Sequence, residues 1–184
     1  VTFSLNLLGD CGEIGKFQYA PLIGPDILSG ILVNTTGRSV FDFATEYLFT
    51  PLGIEVKDKI TFSSEEEQVA FLKAKDINGW VIDSCGINAA GWGLTLSTRA
   101  MAKIGQLYLN QGRWNKQQIV SKQWVIDSIK KQSYNDELNL AYGYLWWLHQ
   151  DGFMAMGDGG NVIYVNIMKK IVISITATFK PDVN

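Results

Sequence analysis

The sequence predicts an α+β protein, with helices first and an antiparallel sheet after them, and three observations carry that prediction. Over roughly the first two-thirds of the chain, Ser or Asp residues precede apolar runs of helical period, as N-caps do. After Tyr142 the runs become β-branched or aromatic and of strand length. The connections between those runs are too short for parallel crossovers, which leaves an antiparallel meander.

The helices follow in order. Asp26 caps an apolar stretch through Leu32 that stops near Gly37. Ser39, with Asp42 three residues on, resembles a capping box opening residues 40–49, and Pro51-Leu52-Gly53 ends that segment. Ser64 followed by Glu65-Glu66-Glu67 starts a helix through about Lys75, with anions at the positive end of the helix dipole. Ser97 caps a longer helix in which Met101, Ile104, Leu107 and Tyr108 form a buried stripe, closed by Asn110-Gln111-Gly112. Ser121 caps a surface helix over 122–132, with Trp124, Val125 and Ile129 on one side and Lys122, Lys130 and Lys131 on the other. Strands are expected at 142–149, 152–157, 161–168 and 171–179.

A chain of 184 residues with 47% hydrophobic content is large enough for one globular domain, residues 1–184, with its own core. The balance of 16 basic and 18 acidic residues gives a net charge of −2, and no basic face calls for nucleic acid. No apolar run is long enough to span a bilayer, and there is no charged-then-apolar leader. The first residue is Val1, so the start of the gene product is expected to be missing or removed. Cys11 and Cys85 are too few for a disulfide framework and have no zinc-ligand spacing, and the single His149 cannot build a metal site. It also removes mechanisms that need a histidine base beside a nucleophile, unless His149 itself is that base.

Ser128-Ile-Lys-Lys131 is the only Ser-x-x-Lys in the chain. On a helix that spacing places a nucleophile and a base one turn apart on the same face. In this setting, on a surface helix, Ser128 reads as a solvated serine.

Longer stretches carry more. GWGLTLSTRAMAKIGQLYLNQGRWNKQQIVSKQWV, from Gly91 to Val125, closely resembles the serine hydrolases related to class C β-lactamases and penicillin-binding proteins. TGRSVFDFATEYLFTPLGI at 36–54, Trp80-x-x-Asp83-x-x-Gly86, YGYLWW at 142–147 and GDGGN at 157–161 stand in the same order as in that family. The resemblance runs over about residues 17–179 and is closest to the esterase and aminohexanoate-oligomer hydrolase branch. It implies a partial β-lactamase/transpeptidase-like fold.

The resemblance also implies roles. Phe17-Gln18-Tyr19 matches the segment whose tyrosine moves protons together with the lysine of a Ser-x-x-Lys motif. A phenol with an ordinary pKa near 10 needs such an ammonium beside it to act at neutral pH. Gly157-Asp158-Gly159-Gly160-Asn161 matches the glycine-rich strand that gives one oxyanion-hole N–H. By composition alone that stretch is a turn between strands. Relatives that recognise penicillin carry Lys or His near Asp158, so an aspartate favours a neutral or cationic acyl substrate. Pro21 stands where many relatives place Asn or Ser to hold the substrate amide, which weakens a lactam-handling role.

Trp146 and Trp147 are adjacent, so one should face the core and the other outward, where it would line an acyl or sugar pocket or pack on a helix layer. Trp80, Trp92, Trp114 and Trp124 read as core and interface anchors, and His149 as exposed. The Ser-x-x-Lys of the family has no counterpart before Tyr19, so the chain reads as an incomplete β-lactamase-like domain, inactive on its own, needing no metal or cofactor. Its partners would be a small ester, amide or peptide substrate, and a second copy or a complementary piece at an exposed sheet edge. The competing reading is a carbohydrate- or peptidoglycan-binding module built on the aromatic residues.

Overall fold

The computed structural model describes residues 19–20, 23–57 and 59–177, and of Asp158 the backbone alone. Residue contacts divide the chain into two compact units: one runs to Ser63 and resumes over Ile77–Thr95, and the other comprises Ser64–Asp76 and Leu96–Asn184.

In the first unit, a helix spans Ile23–Thr36: it stops before Gly37 as expected, but it starts three residues before Asp26, which lies inside the first turn and accepts the Gly91 N–H instead of capping the helix. Gly37, at φ 68, closes it and donates its N–H to Val33 O at 2.9 Å. Ser39 caps the next helix, Val40–Ala44, as the capping box predicts: its Oγ accepts the Asp42 N–H at 3.0 Å and donates to the Asp42 carboxylate at 2.6 Å. The helix then widens into a π segment, Thr45–Phe49, before a last α turn at Thr50–Leu52. Gly53 at φ 59 ends it in a Schellman motif, with Gly53 N–H on Thr50 O and Ile54 N–H on Phe49 O.

Arg38 reaches over this helix. Its guanidinium pairs with Glu46 at 2.7 Å and lies 5.9 Å from the Phe43 ring centroid and 5.7 Å from that of Tyr47. The hydrogen bond from Arg38, with a second from Tyr47, holds the Glu46 carboxyl below the usual glutamate range.

A small sheet completes the unit. Strands β1 (Lys59–Ile60), β2 (Gly79–Val81) and β3 (Leu94–Thr95) lie in that order, β1 parallel and β3 antiparallel to β2. Phe49, Leu52, Ile54, Trp80 and Val81 are its buried core, with Trp80 anchored by an indole N–H bond to Ala89 O at 2.9 Å. Trp80 is thus the core anchor that its place in the sequence predicts.

The second unit is a sheet backed by a helix. After the Ser64-capped helix Glu65–Lys73 comes Thr98–Leu109, capped by Ser97 Oγ on the Ala100 N–H at 3.2 Å. The hairpin β4 (Arg113–Trp114) and β5 (Gln117–Gln118) and the helix Lys122–Ser128 follow. Strands β6 (Ser133–Asn135), β7 (Leu140–Tyr142), β8 (Trp147–His149), β9 (Gly152–Gly157), β10 (Asn161–Asn166) and β11 (Ile171–Ile175) then form one antiparallel sheet in strict chain order, the meander expected from the short connections.

The Thr98–Leu109 helix packs on β10 and β11 through its apolar stripe. Gly105 makes the approach possible: a Cβ there would lie 2.6 Å from Val172 Cγ1 and 2.9 Å from Ile163 Cγ2. Phe153, Ile163, Val165 and Trp146 form the buried centre, with Met101, Ile104 and Tyr108 against it.

Three local expectations are corrected. The helix after Ser121 ends at Ser128, not at 132, because Gln132 N–H already donates to Tyr142 O and the chain enters β6, a strand the apolar pattern did not reveal. The run 142–149 is broken at Gly143–Trp146, where Gly143 N–H closes on Trp146 O at 2.8 Å and Leu145 stands at φ 63. Trp124 is no core anchor: it is 50% exposed and stacks on Tyr144 at 5.6 Å between ring centroids. No helix among the described residues is long and apolar enough to cross a membrane.

Candidate functional site

Ser128 is 1% exposed, not solvated, and its Oγ donates to Val125 O at 3.0 Å. Its helix stops at that residue, so the one-turn relation to Lys131 does not exist. Lys131 turns elsewhere, with Nζ 4.8 Å from the Tyr134 ring centroid. A buried hydroxyl committed to its own helix has neither access to substrate nor a base beside it.

Tyr19 belongs to the first unit and precedes the Ile23–Thr36 helix in irregular backbone. The residue is 43% exposed. Phe17, Gln18 and Pro21, which surround it in the matched segment, lie outside the described residues.

The glycine-rich segment belongs to the second unit and joins its two longest strands. Gly157 ends β9, Asn161 opens β10, and the two face each other in register. Between them Asp158–Gly160 makes a single tight turn in which Gly159 stands at φ 76 and Gly160 at φ 95. Both values are in the region that side chains with a Cβ avoid, which is the local reason for two glycines here. Space is not the constraint at Gly160, where a Cβ would lie 3.5 Å from Ala177 Cβ, an ordinary contact; the backbone conformation is. Asn161 ties the turn down: its Oδ1 accepts the Ala177 N–H at 3.1 Å, linking the start of β10 to the residues just after β11. The sequence signal for that clamp was an Asn placed directly after the glycine pair, and the clamp itself could not be read before the register was known.

The alternation that predicts one outward tryptophan does not operate at 146–147. Trp146 is 6% and Trp147 3% exposed, because Trp146 closes the turn before β8 and only Trp147 is a strand residue. Trp146 packs 4.7 Å from the Tyr108 ring and 4.9 Å, edge to face, from Phe153 on β9. It therefore supports the strand that carries the glycine-rich turn from inside the core. Trp147 packs 4.5 Å from Tyr142. His149 is exposed, as expected, and so is Cys85, while Cys11 lies outside the described residues.

Among the described residues no group of His, Cys, Asp or Glu is gathered as metal ligands are. What the two units offer chemically is one half-exposed phenol in the first and one rigid, glycine-lined turn at a strand end in the second.

No family profile matches the chain, and no curated protein matches it in sequence. Solved structures do. A protein described as a 6-aminohexanoate-dimer hydrolase from Bacillus anthracis matches with a TM-score of 0.68 and 24% identity, over 90% of this chain and 39% of that one. A penicillin-binding protein homologue from Caulobacter crescentus matches with a TM-score of 0.63 and 11% identity, over 91% of this chain and 54% of that one. The chain thus spans well under two-thirds of the length of either neighbour. At these identities the likeness is one of fold, and it agrees with the resemblance seen in the sequence motifs. The chain has the β-lactamase/transpeptidase-like fold that these neighbours share.

Proposed function

We propose that this chain is part of a serine hydrolase that cleaves an ester, amide or peptide through an acyl-serine intermediate. The observation that carries the reading is the glycine-rich turn between β9 and β10, held rigid by Asn161 and the buried Trp146, in a fold matched over 90% of the chain by a hydrolase-like neighbour. The nucleophilic serine and its lysine would be supplied from outside these residues, since Ser128 is sealed in the core.

In that scheme the serine Oγ attacks the substrate carbonyl carbon and loses its proton to the lysine and Tyr19 pair. The carbonyl oxygen becomes an oxyanion held by the backbone N–H at Asp158. The leaving group departs with the proton returned by Tyr19, and water then attacks the acyl carbon by the same route. Asp158 would disfavour an anionic acyl group beside the oxyanion. The isolated chain is expected to be inactive.

The test is labelling with a fluorophosphonate and with a fluorescent penicillin, on the chain alone and on a longer protein that restores a Ser-x-x-Lys segment before Tyr19. The expected result is label only on the restored serine. An adduct mapped to Ser128 would overturn the scheme.

A glycan-binding module is the second reading, and the half-exposed, stacked pair Trp124 and Tyr144 is the observation in its favour. Saturable glycan binding that is lost on Trp124→Ala, with no covalent label on the restored protein, would select it.

A further inference from the structure

The helix Thr98–Leu109 covers one face of the six-stranded sheet, where Gly105 lets it close on Ile163, Val165 and Val172. The opposite face carries a continuous set of its own. Across β9, β10 and β11 the register pairs Met156 with Val162 and Val162 with Ile175, then Met154 with Tyr164 and Tyr164 with Ile173. Residues paired in this way point to the same side, so these side chains, with Ile171 two residues before Ile173, share the face turned away from the helix.

No charged residue stands among them. A sheet that gives one face to water alternates apolar and polar residues, whereas Val162-Ile163-Tyr164-Val165 and Ile171-Val172-Ile173 are apolar on both sides, the composition of strands covered on two faces. Yet Met156, Ile171, Ile173 and Ile175 are 40 to 50% exposed. The sheet has a helix layer on one side and lacks a cover on the other.

The size of the open area says what could cover it. At those exposures the four residues leave roughly 400 Å² open, and Ile167 and Met168 in the β10–β11 hairpin, 48% and 80% exposed, extend it to roughly 650 Å², above the largest apolar patch of most monomers. That is close to the roughly 800 Å² that each partner gives to a stable interface.

We infer that a second copy of this chain covers the face, the two sheets packing broadside about a twofold axis. Stacked sheets lie about 10 Å apart with their side chains interdigitated, and a row of isoleucine and methionine side chains suits that spacing. A twofold interface sets one patch against itself, so every charge in it would meet its like, and a patch free of charge meets its own copy without repulsion. Lys169 and Lys170 fall in the hairpin, at the end of the patch rather than within it, as rim charges do. Such packing uses the broad side of the sheet rather than the edge of β11, and it requires neither a nucleophile nor Tyr19.

The test is sedimentation equilibrium of the whole chain beside Met156→Lys, with flotation on phosphatidylglycerol vesicles as a control. Met156 sits on β9, two strands in from β11, so a lysine there charges the face without touching the edge. The unaltered chain should be a dimer, and Met156→Lys should raise its dissociation constant at least about tenfold, because the added charge would be buried without a partner. In a mixture of isotope-labelled and unlabelled chains, filtered NMR should show contacts from the Ile171, Ile173 and Ile175 methyl groups to the other copy. A monomer that binds the vesicles would give the face to a lipid surface and overturn the inference, and a monomer that binds nothing would overturn it too. So would association that Met156→Lys leaves unchanged, since the edge would then account for it. The filtered NMR measurement decides where the variant fails to fold, because intermolecular contacts confined to other residues are equally fatal.

Discussion

The N–H of Tyr144 donates to the carbonyl of Ser128 at 2.8 Å, so the last residue of a helix is fastened to the turn between β7 and β8. Gly143, the residue before, passes so close that a Cβ on it would lie 2.2 Å from that same oxygen. Gly143→Ala should therefore destabilise the protein by about 2 to 3 kcal/mol, read from the denaturant midpoint. Ser128→Ala removes only the hydroxyl bond to Val125 and should cost about 1 kcal/mol. It should leave covalent labelling of the restored enzyme unchanged.

Gly105 predicts a loss where helix propensity alone predicts a gain. Alanine is worth about 1 kcal/mol over glycine inside a helix. Here the added carbon would press on Val172 and Ile163, both β-branched and stiff. Gly105→Ala should be net destabilising by about 1 to 2 kcal/mol, and a combined Val172→Ala should relieve part of the cost, a coupling that a double-mutant cycle measures.

The helix Thr98–Leu109 ends with Gln111 at φ 55 and Gly112 at φ 81, and Gly112 N–H reaches back to Leu107 O. A left-handed position occupied by a residue with a Cβ carries strain that glycine lacks. Gln111→Gly should raise stability by about 0.5 to 1 kcal/mol, and a lower thermal midpoint would contradict the assignment.

Glu46 gives a pH prediction. Its folded carboxyl titrates below its ordinary value because Arg38, and secondarily Tyr47, donate to it. A depressed acid contributes its stabilisation above the unfolded pKa and loses it as pH falls through the folded one. Side-chain NMR should find the midpoint below about 4.3, and Arg38→Ala should move it upward.

Among the described residues β11 is an edge strand of its sheet, and Ile171, Ile173 and Ile175 on it are about half exposed with no charge between them. Unprotected edges of this kind pair with further strands. Light scattering should report a mass above the monomer that rises with concentration, and Ile173→Lys should restore the monomer. Monomer mass at high concentration would contradict the edge-pairing expectation.

Much of this architecture was legible before any coordinates. Ser39, Ser64, Ser97 and Ser121 each accept the N–H three residues on, as local cap chemistry requires. The meander followed from connection length, and the stripe Met101, Ile104, Leu107 and Tyr108 from helical period. What was not legible depended on tertiary partners. Tyr142 O draws Gln132 out of the helix, and Leu145 takes a left-handed conformation that nothing in YGYLWW announces. Ser128 looked solvated because its lysine neighbours are polar, while its burial is set by a strand turn 15 residues later.

The π segment Thr45–Phe49 amounts to extra backbone in an otherwise α-helical stretch from Val40 to Leu52. Each inserted residue rotates everything after it by about 100° around the axis, and Phe49, at the end of the segment, and Leu52, after it, are both buried. A relative that lacks the insertion would align only through a one-residue gap in the middle of a helix.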